Sequence, residues 1–239
     1  MNSIRSLAAC LLTAAFLGAP TLAAAEDAAA DLARGKELFS LCAQCHGDAG
    51  EGQQNIGAPA IAAMPEWYVK EQLRKFSVGL RGKHFDDAEG MRMRPMSLWL
   101  TAGQHAADHA SGTTPDPTKL DPNIVNVAAY VASLPATNPA KTLSGGNAAN
   151  GEANYPGCSS CHGQHGEGTE VLTAPPLAGQ SDWYLLSALR KYKAGVRGYD
   201  ATNDSLAFMM SAMSGALLPD EQAMQDMVAY LATLPTPKQ

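Results

Sequence analysis

Two short runs of cysteine and histidine stand out in this chain of 239 residues. The first is Cys42-Ala43-Gln44-Cys45-His46, and the second, 116 residues later, is Cys158-Ser159-Ser160-Cys161-His162. A Cys-x-x-Cys-His run is the signature of covalent c-type haem attachment. Two cysteines three residues apart on a helical turn can each add to one vinyl group, and the next histidine then faces the iron. The predicted attachment points are Cys42, Cys45, Cys158 and Cys161, and the predicted iron ligands are His46 and His162.

The two motifs lie inside a longer internal repeat. Its matched segments all share the 116-residue offset, and a repeat of this length predicts two homologous domains, each holding one covalent haem c group. The matches include Gly50-Glu51-Gly52 with Gly166-Glu167-Gly168, Trp67-Tyr68 with Trp183-Tyr184, and Leu73-Arg74-Lys75-Phe76 with Leu189-Arg190-Lys191-Tyr192.

A cluster of methionines follows each haem motif and supplies candidates for the second axial ligand. A thioether opposite histidine fills the iron site and raises the reduction potential. The Met-x-x-Met spacing aligns Met93 with Met210, whereas the strict offset pairs Met93 with Met209. We favour Met93 and Met210, because that frame needs only one inserted residue; packing of the methionines in the cores is the alternative. The two clusters are Met91, Met93 and Met96, and Met209, Met210 and Met213.

Other matched residues predict supporting contacts to the haem groups. Pro59 and Pro175 each lie 13 residues after a ligand histidine. A carbonyl from such a loop can accept the Nδ1 proton of the histidine and fix its ring. Arg81 and Arg197 are candidates for pairing with haem propionates, with a solvated surface position as the alternative.

The remaining histidines have weaker claims to a metal. His84 precedes Met93 and is a competing candidate for the first iron. His105 and His109 lie four residues apart, which on a helix could hold a metal ion, but no cysteine or acidic cluster completes the site; exposure to solvent is the better interpretation. His165 is predicted to lie on the surface.

The apolar pattern predicts an all-α fold with long loops. Each repeat is expected to run as helix, haem motif, Gly/Pro-rich loop, helix, methionine-bearing loop and helix. The first helix is predicted over about 28–41, and the middle helices near 66–78 and 182–194 place apolar residues on one face. The last helices begin with capping signals at Asp121 and Asp220.

The N-terminal segment has the features of a secretory signal. Arg5 supplies the positive start, Leu7–Ala19 the apolar core, and Ala23-Ala24-Ala25 a small-residue cleavage site. Cys10 resembles part of a lipoprotein box but comes too early in the apolar run. Export to the periplasm is the prediction. The expected organisation is a signal peptide at 1–25, a first domain at 26–135 with an irregular insertion at 97–120, a linker at 136–147, and a second domain at 148–239.

With these features the chain resembles the cytochrome c4 family of dihaem proteins. The likeness rests on the two haem motifs with Met93 and Met210, and on the matched Trp-Tyr helices. It implies two tandem class I cytochrome c-like domains, each wrapped around a covalent haem c. It also implies a pseudo-twofold axis, with haem propionates near the interface. The insertion at 97–120 is a departure, as is Ala62-Ala63-Met64 where the second repeat has Ala178-Gly179-Gln180.

The function predicted from these features is electron transfer without catalysis. The chain would pass single electrons from a dehydrogenase or quinol-oxidising complex to a terminal oxidase or reductase. The formal charge of −6 does not suggest a nucleic-acid surface, and no transmembrane segment is expected in the mature chain, although association with a membrane complex stays open. The alternatives are an electron-transfer subunit of a larger dehydrogenase complex and, less favoured, a dihaem enzyme of the peroxidase or thiosulfate dehydrogenase type, which needs an open iron site or a cysteine ligand.

Overall fold

The fold was described from a computed structural model, which covers residues 22–111 and 120–236, with side chains over 32–103 and 120–236. This part of the chain is α-helical, as predicted, and its only β-type pairs are two isolated bridges in the loops after the haem motifs. In chain order the helices are α1 (Leu22–His46), a 3₁₀ turn (Gln54–Ile56), α2 (Glu66–Val78), α3 (Ala88–Ser111), α4 (Pro122–Ser133), α5 (Ala148–Asn154), α6 (Pro156–His162), α7 (Asp182–Lys193), α8 (Ser205–Leu217) and α9 (Glu221–Leu231).

Each repeat builds its own hydrophobic core. In the first, α4 packs against α1 and α2, and in the second, α9 packs against α5 and α7. The last helix of each repeat is capped by the predicted aspartate: Asp121 accepts a hydrogen bond from Asn123 N, and Asp220 accepts one from Ala223 N. The buried residues of the two cores are Leu38, Phe39, Leu73, Leu100, Ile124, Val127 and Val131 in the first, and Tyr155, Leu185, Leu186, Leu189, Leu218, Met224, Met227, Val228 and Leu231 in the second.

The first and last helices of each domain approach so closely that only glycine fits between them. A Cβ atom on Gly35 would lie 2.2 Å from the Asn126 carbonyl oxygen, and one on Gly151 would lie 2.1 Å from that of Asp226. In the first domain this contact fixes the helix that carries the haem motif against the terminal helix, and in the second it fixes the helix that directly precedes the motif.

Gly151→Ala is expected to lower the free energy of unfolding by about 1–3 kcal/mol, because the added methyl group overpacks this contact. Gly215→Ala is the matched control. Gly215 also lies on a helix of the second domain, and its Cβ would meet no atom within 4 Å. Alanine there should stabilise α8 by about 0.5–1 kcal/mol through helix propensity. Denaturant unfolding followed by circular dichroism compares the two, and equal effects would contradict the close contact.

The methionine segments are helical, which corrects the prediction of methionine-bearing loops. Met93 lies in α3 and Met210 in α8. The insertion at 97–120 was predicted to be irregular, and over 97–111 this was wrong, because α3 continues to Ser111. An alanine-rich run with high helix propensity follows Thr101. Residues 112–119 lie outside the described part of the chain.

The haem-motif helices differ between the two repeats. α1 runs without a break to His46, beyond the predicted end at residue 41. The corresponding segment of the second repeat is divided into α5 and α6, with Pro156 at the start of α6. Proline lacks the N–H that would continue the helical ladder and clashes with the preceding turn, so Pro156 accounts for the division.

The segment between the repeats has no helix and is fastened to the second domain by two carboxylates. Asp182 accepts hydrogen bonds from the backbone N–H groups of Thr142 and Leu143, at 2.6 and 2.8 Å. Asp226 accepts one from Asn147 N at 2.8 Å. Burial acts to raise the pKa of Asp182, but these backbone hydrogen bonds outweigh it and hold the pKa below its usual value. The carboxylate form therefore holds the linker in place.

The two domains contact each other through the segments that flank α2 and α7. The side-chain amide of Gln180 donates a hydrogen bond to the Ala60 carbonyl oxygen at 2.9 Å, and the Tyr199 hydroxyl donates one to the Gly79 carbonyl oxygen at 3.2 Å. Ion pairs at the same interface are described below. Within the described residues no helix has both the length and the apolar character needed to cross a membrane. Arg5, Cys10 and most of the predicted signal segment lie outside those residues.

Candidate haem sites

The histidine of the first motif is held in the orientation that an iron ligand requires. His46 ends α1 and is buried, and its Nδ1 lies 2.8 Å from the Pro59 carbonyl oxygen. A carbonyl oxygen only accepts, so Nδ1 carries the proton and the lone pair of Nε2 stays free for a metal. Burial holds the pKa of His46 below its usual value. The predicted role of the Pro59 carbonyl is confirmed.

The second motif repeats this arrangement. His162 Nδ1 donates to the Pro175 carbonyl oxygen at 2.9 Å, and burial likewise lowers the pKa of His162. The loops that carry the two prolines have the same hydrogen bonds. Gly52 N donates to the His46 carbonyl oxygen at 2.7 Å, and Gly168 N donates to that of His162 at 2.8 Å. The 116-residue repeat therefore extends to the backbone geometry of both sites.

Gly52→Ala is expected to loosen the first histidine. Gly52 has a φ of +86°, and a Cβ there would lie 2.5 Å from Ala60 N and 2.7 Å from the carbonyl carbon of Pro59. The substitution should push the Pro59 carbonyl away from His46 and lower the free energy of unfolding by about 1–3 kcal/mol.

A weaker hydrogen bond also makes the His46 imidazole less basic, so the reduction potential of the first haem should rise. Spectroelectrochemical titration measures this, and Gly103→Ala is the control, because a Cβ at Gly103 meets no atom within 4 Å. An unchanged potential in Gly52→Ala would contradict the role given to this loop.

A cavity of about 600 Å³ opens beside the first motif. This volume falls within the range of roughly 300–1,000 Å³ that is usual for cofactor sites. Cys42, Cys45 and His46 line it from α1, and Met93 and Met96 line it from α3. The cavity thus brings together every residue that the sequence predicted to hold the first haem.

None of the four motif cysteines forms a disulfide bond. Burial is the main cause that raises the pKa of Cys42, to about 11, and it also raises the pKa of Cys158. Without a disulfide bond between them, all four cysteines stay available for covalent attachment to haem.

Met93 and Met210 are the members of their clusters that pack against the cores. Met93 contacts the first core and Met210 the second, and Cys158 packs against the same second core. The other four methionines, Met91, Met96, Met209 and Met213, are between 37% and 53% exposed. In each domain the favoured methionine is thus the most buried member of its cluster. It packs against the same core as the first cysteine of the haem motif, Cys42 or Cys158.

Arginine and tyrosine side chains from both domains meet at one wall of the cavity. Arg81 and Arg197 line it with Tyr68 and Tyr184. Arg197 is 6% exposed, so a solvated surface position is wrong for this residue. Burial acts to raise the pKa of Tyr184, but the charges of Arg197 and Arg81 outweigh it and hold the pKa below its usual value.

Two buried guanidinium atoms on this wall lack a partner. The Nε atoms of Arg81 and Arg197 have no hydrogen-bond acceptor within the described part of the chain. A buried donor without an acceptor is costly, and carboxylates are the natural partners of arginine. The residues present fit haem, because its propionates would supply the missing acceptors, and Cys42, Cys45 and His46 line the same cavity.

The other histidines are not brought to the cavity. His84 is absent from the cavity wall and stacks on Phe85 with 4.8 Å between ring centroids, which leaves it without the position of a competing ligand. His165 is exposed, as predicted. His105 and His109 fall on the end of α3, where the described residues include no side chains. Among the side chains that are described, no group of three or more histidine, cysteine or acidic residues could hold a metal ion.

Two lysines were missed as functional candidates. Lys75 and Lys191 occupy matched positions in the Leu-Arg-Lys segments of the repeat, and each pairs with an aspartate of the other domain. Their identity in both repeats was a signal. The sequence does not show which faces of the domains meet, so it could not give their partners.

Comparison with known proteins gives the same answer for both halves of the chain. The family profile described as cytochrome c matches residues 32–135 and again residues 148–235. A thiosulfate dehydrogenase electron acceptor from Thiomonas intermedia (strain K12) is 31% identical over 82% of this chain and 78% of its own length.

Two solved structures resemble the whole described fold. The thiosulfate dehydrogenase of Marichromatium purpuratum, in its as-isolated form, matches with a TM-score of 0.62 and 28% identity over 85% of this chain. This chain spans 40% of that protein's length. Reduced recombinant cytochrome c4 from Pseudomonas stutzeri matches with a TM-score of 0.57 and 20% identity over 85% of this chain and 98% of its own. At that identity the second match speaks for the fold alone.

Proposed function

The chain belongs to the cytochrome c family, and we propose that it accepts single electrons from a dehydrogenase that oxidises a small sulfur anion such as thiosulfate. It is a dihaem electron-transfer protein, of the kind that the cytochrome c4 resemblance predicted. Two covalently bound haem c groups, one in each domain, supply ferric/ferrous cycling. The protein passes the electrons on to an oxidase or reductase, in the periplasm, after removal of an N-terminal signal segment.

The observation that carries the proposal is the duplicated axial geometry. Each motif histidine is fixed through Nδ1 by a proline carbonyl oxygen, at 2.8 and 2.9 Å. In each domain a methionine, Met93 or Met210, packs against the core that carries the motif. We assign these two methionines as the second axial ligands. An iron with both axial positions filled by the protein exchanges electrons readily but offers no site for substrate, which favours a carrier over a dihaem enzyme.

The identity of the donor is proposed from the relatives. The Thiomonas intermedia protein is named as an electron acceptor of thiosulfate dehydrogenase, and this chain spans most of its length. The Marichromatium purpuratum structure is that of a thiosulfate dehydrogenase more than twice as long as the region matched here. A separate partner that performs the oxidation would leave the present chain with the electron-accepting part of the reaction.

Stopped-flow reduction tests the proposal. Ferric holoprotein is mixed with thiosulfate and a catalytic amount of a thiosulfate dehydrogenase, and the absorbance of the reduced haems is followed. Both haems should be reduced, and omission of the dehydrogenase should leave both oxidised. Failure of the dehydrogenase to reduce the protein would overturn the choice of donor. Direct reduction by thiosulfate alone would favour an enzyme with an open iron site.

A further inference from the structure

Two matched lysines cross the interface in opposite directions. Lys75 lies on α2 and Lys191 lies at the same position on α7, 116 residues later. Lys75 Nζ is 2.8 Å from Asp204 Oδ1 in the second domain, and Lys191 Nζ is 2.6 Å from Asp87 Oδ1 in the first. Each lysine therefore pairs with the domain to which it does not belong, as in the self-complementary interface of a twofold dimer.

Three of the four members of these crossed pairs are buried, and the side chain of the fourth, Lys191, is 18% exposed. Lys75 is 7% exposed, Asp204 is 9% exposed and Asp87 is 2% exposed. Burial acts to raise the pKa of Asp87, but the hydrogen bond and charge of Lys191 outweigh it and hold the pKa below its usual value. A buried carboxylate that loses its cation is strongly destabilising, so the position of each aspartate depends on the lysine that reaches it from the opposite domain.

Both aspartates stand at the start of a methionine helix. Asp87 directly precedes α3 and accepts a hydrogen bond from Gly90 N at 3.1 Å. Asp204 directly precedes α8 and accepts one from Ala207 N at 3.4 Å. A capping aspartate satisfies a free N–H group of the first turn and fixes where the helix begins. The lysine that holds the aspartate therefore also holds the start of the helix.

The distance along the chain from cap to methionine is the same in both domains. Met93 follows Asp87 by six residues, and Met210 follows Asp204 by six residues. Met209 breaks this match, so the capping aspartates support the pairing of Met93 with Met210 independently of the Met-x-x-Met spacing. Six residues are less than two helical turns, so a shift of the cap moves the methionine with it.

We propose that Lys75 and Lys191 are positioning residues that act across the interface, each fixing the methionine helix of the other domain through its capping aspartate. This inference rests on the proposed axial role of Met93 and Met210. It makes the domain interface part of both iron sites: separating the domains would weaken the iron–methionine bond on each side. If the pairs only held the domains together, removing one lysine would affect the two haems alike.

The experiment reads each haem separately in the ferric holoprotein. In a Met93→His background, only the second haem keeps the far-red band of methionine-ligated iron, and in a Met210→His background only the first keeps it. Lys75→Gln and Lys191→Gln are placed in each background. The probe is imidazole, which competes with methionine for the iron and removes the band as it binds.

Lys75→Gln should make imidazole binding at the second haem tighter by about tenfold, the lower end of the usual loss when a residue supporting a metal ligand is removed, and should leave the first haem unchanged. Lys191→Gln should do the reverse. Lys75→Arg should restore much of the wild-type affinity, because it keeps the charge. Lys70→Gln is the matched control on the same helix, since Lys70 pairs with Glu66 of its own helix at 2.9 Å.

Effects confined to the lysine's own domain, or equal effects on both haems, would overturn the crossed role while leaving the electron-carrier function intact. A wild-type protein without the methionine band at one haem would overturn the ligand assignment and the inference together. Should Lys75→Gln fail to fold, the double variant Lys75→Gln/Asp204→Asn replaces the ion pair by two neutral amides. Imidazole binding at the second haem is then measured in that variant.

Discussion

Met93→His is expected to abolish the far-red methionine–iron band of the first haem and leave the band of the second, so that the ferric protein shows half of the wild-type amplitude. Imidazole in place of a thioether favours ferric iron. The reduction potential of that haem should fall by a substantial part of the roughly 0.8 V range that axial ligands span. Met210→His should give the same result for the second haem.

The other methionines of each cluster serve as controls. Met91→Ala and Met209→Ala change residues that are 42% and 53% exposed, and neither should alter the band. Met96→Ala is the sharper control, because Met96 lines the same cavity as Met93. Loss of the first band in Met96→Ala, with the band retained in Met93→His, would move the ligand one turn along α3. Loss in Met209→Ala would restore the strict 116-residue alignment.

Haem quantified per chain completes this measurement. Two haems with the full band would fit the carrier function. A high-spin signal in the wild type would mean that one iron is open, and a dihaem enzyme would then be favoured over a carrier. Because the covalent attachment at Cys42, Cys45, Cys158 and Cys161 does not depend on the methionines, the variants should keep two haems per chain.

The sequence around each haem motif was enough to predict the surroundings of both ligand histidines. The middle helix of the first domain has the predicted bounds, Glu66–Val78, since its apolar period is regular and Gly79 ends it in the left-handed region, with φ +79°. The contact of His46 with the Pro59 carbonyl also followed from the sequence, because the 13-residue loop is repeated. Features that recur at one offset, and that depend on neighbours in the chain, can be read without knowing the tertiary structure.

The structure of the segments that carry Met93 and Met210 could not be predicted as well, because it depends on tertiary packing. The methionines were predicted to lie in loops, yet α3 carries Met93 and continues through Pro95. Packing of Met93 and Leu100 against the first core outweighs the lost hydrogen bond. The capping roles of Asp87 and Asp204 were not predicted, because the segments that they precede were predicted to be loops. Their lysine partners were not predicted either, because those contacts join residues more than 100 positions apart.

Lys191→Met is expected to lower the free energy of unfolding by about 3–5 kcal/mol, the usual cost of breaking a buried ion pair by removing one member. The Asp87 carboxylate would remain buried without its nearest cation, and Glu89, 2.6 Å from the same lysine, would lose its partner as well. Adding Asp87→Asn to this variant should recover a large part of the loss, because the buried charge is then gone. Lys36→Met, on the exposed surface of α1, should change the stability by no more than about 0.5 kcal/mol.

The pH dependence of the stability difference between wild type and Lys191→Met distinguishes the effect of the Lys191 charge from that of its aliphatic packing. Because Lys191 lowers the pKa of Asp87 in the folded protein, the pair stabilises the fold fully above the unfolded pKa of the carboxyl group. This contribution is lost as the pH falls through the lower folded value. The gap in stability between wild type and Lys191→Met should therefore be constant near neutral pH and narrow below about pH 5, where Asp87 of the variant can take up a proton and shed its buried charge. A gap independent of pH down to acid unfolding would mean that the lysine acts through its aliphatic packing. In that case the capping aspartates would hold the methionine helices without help from the opposite domain.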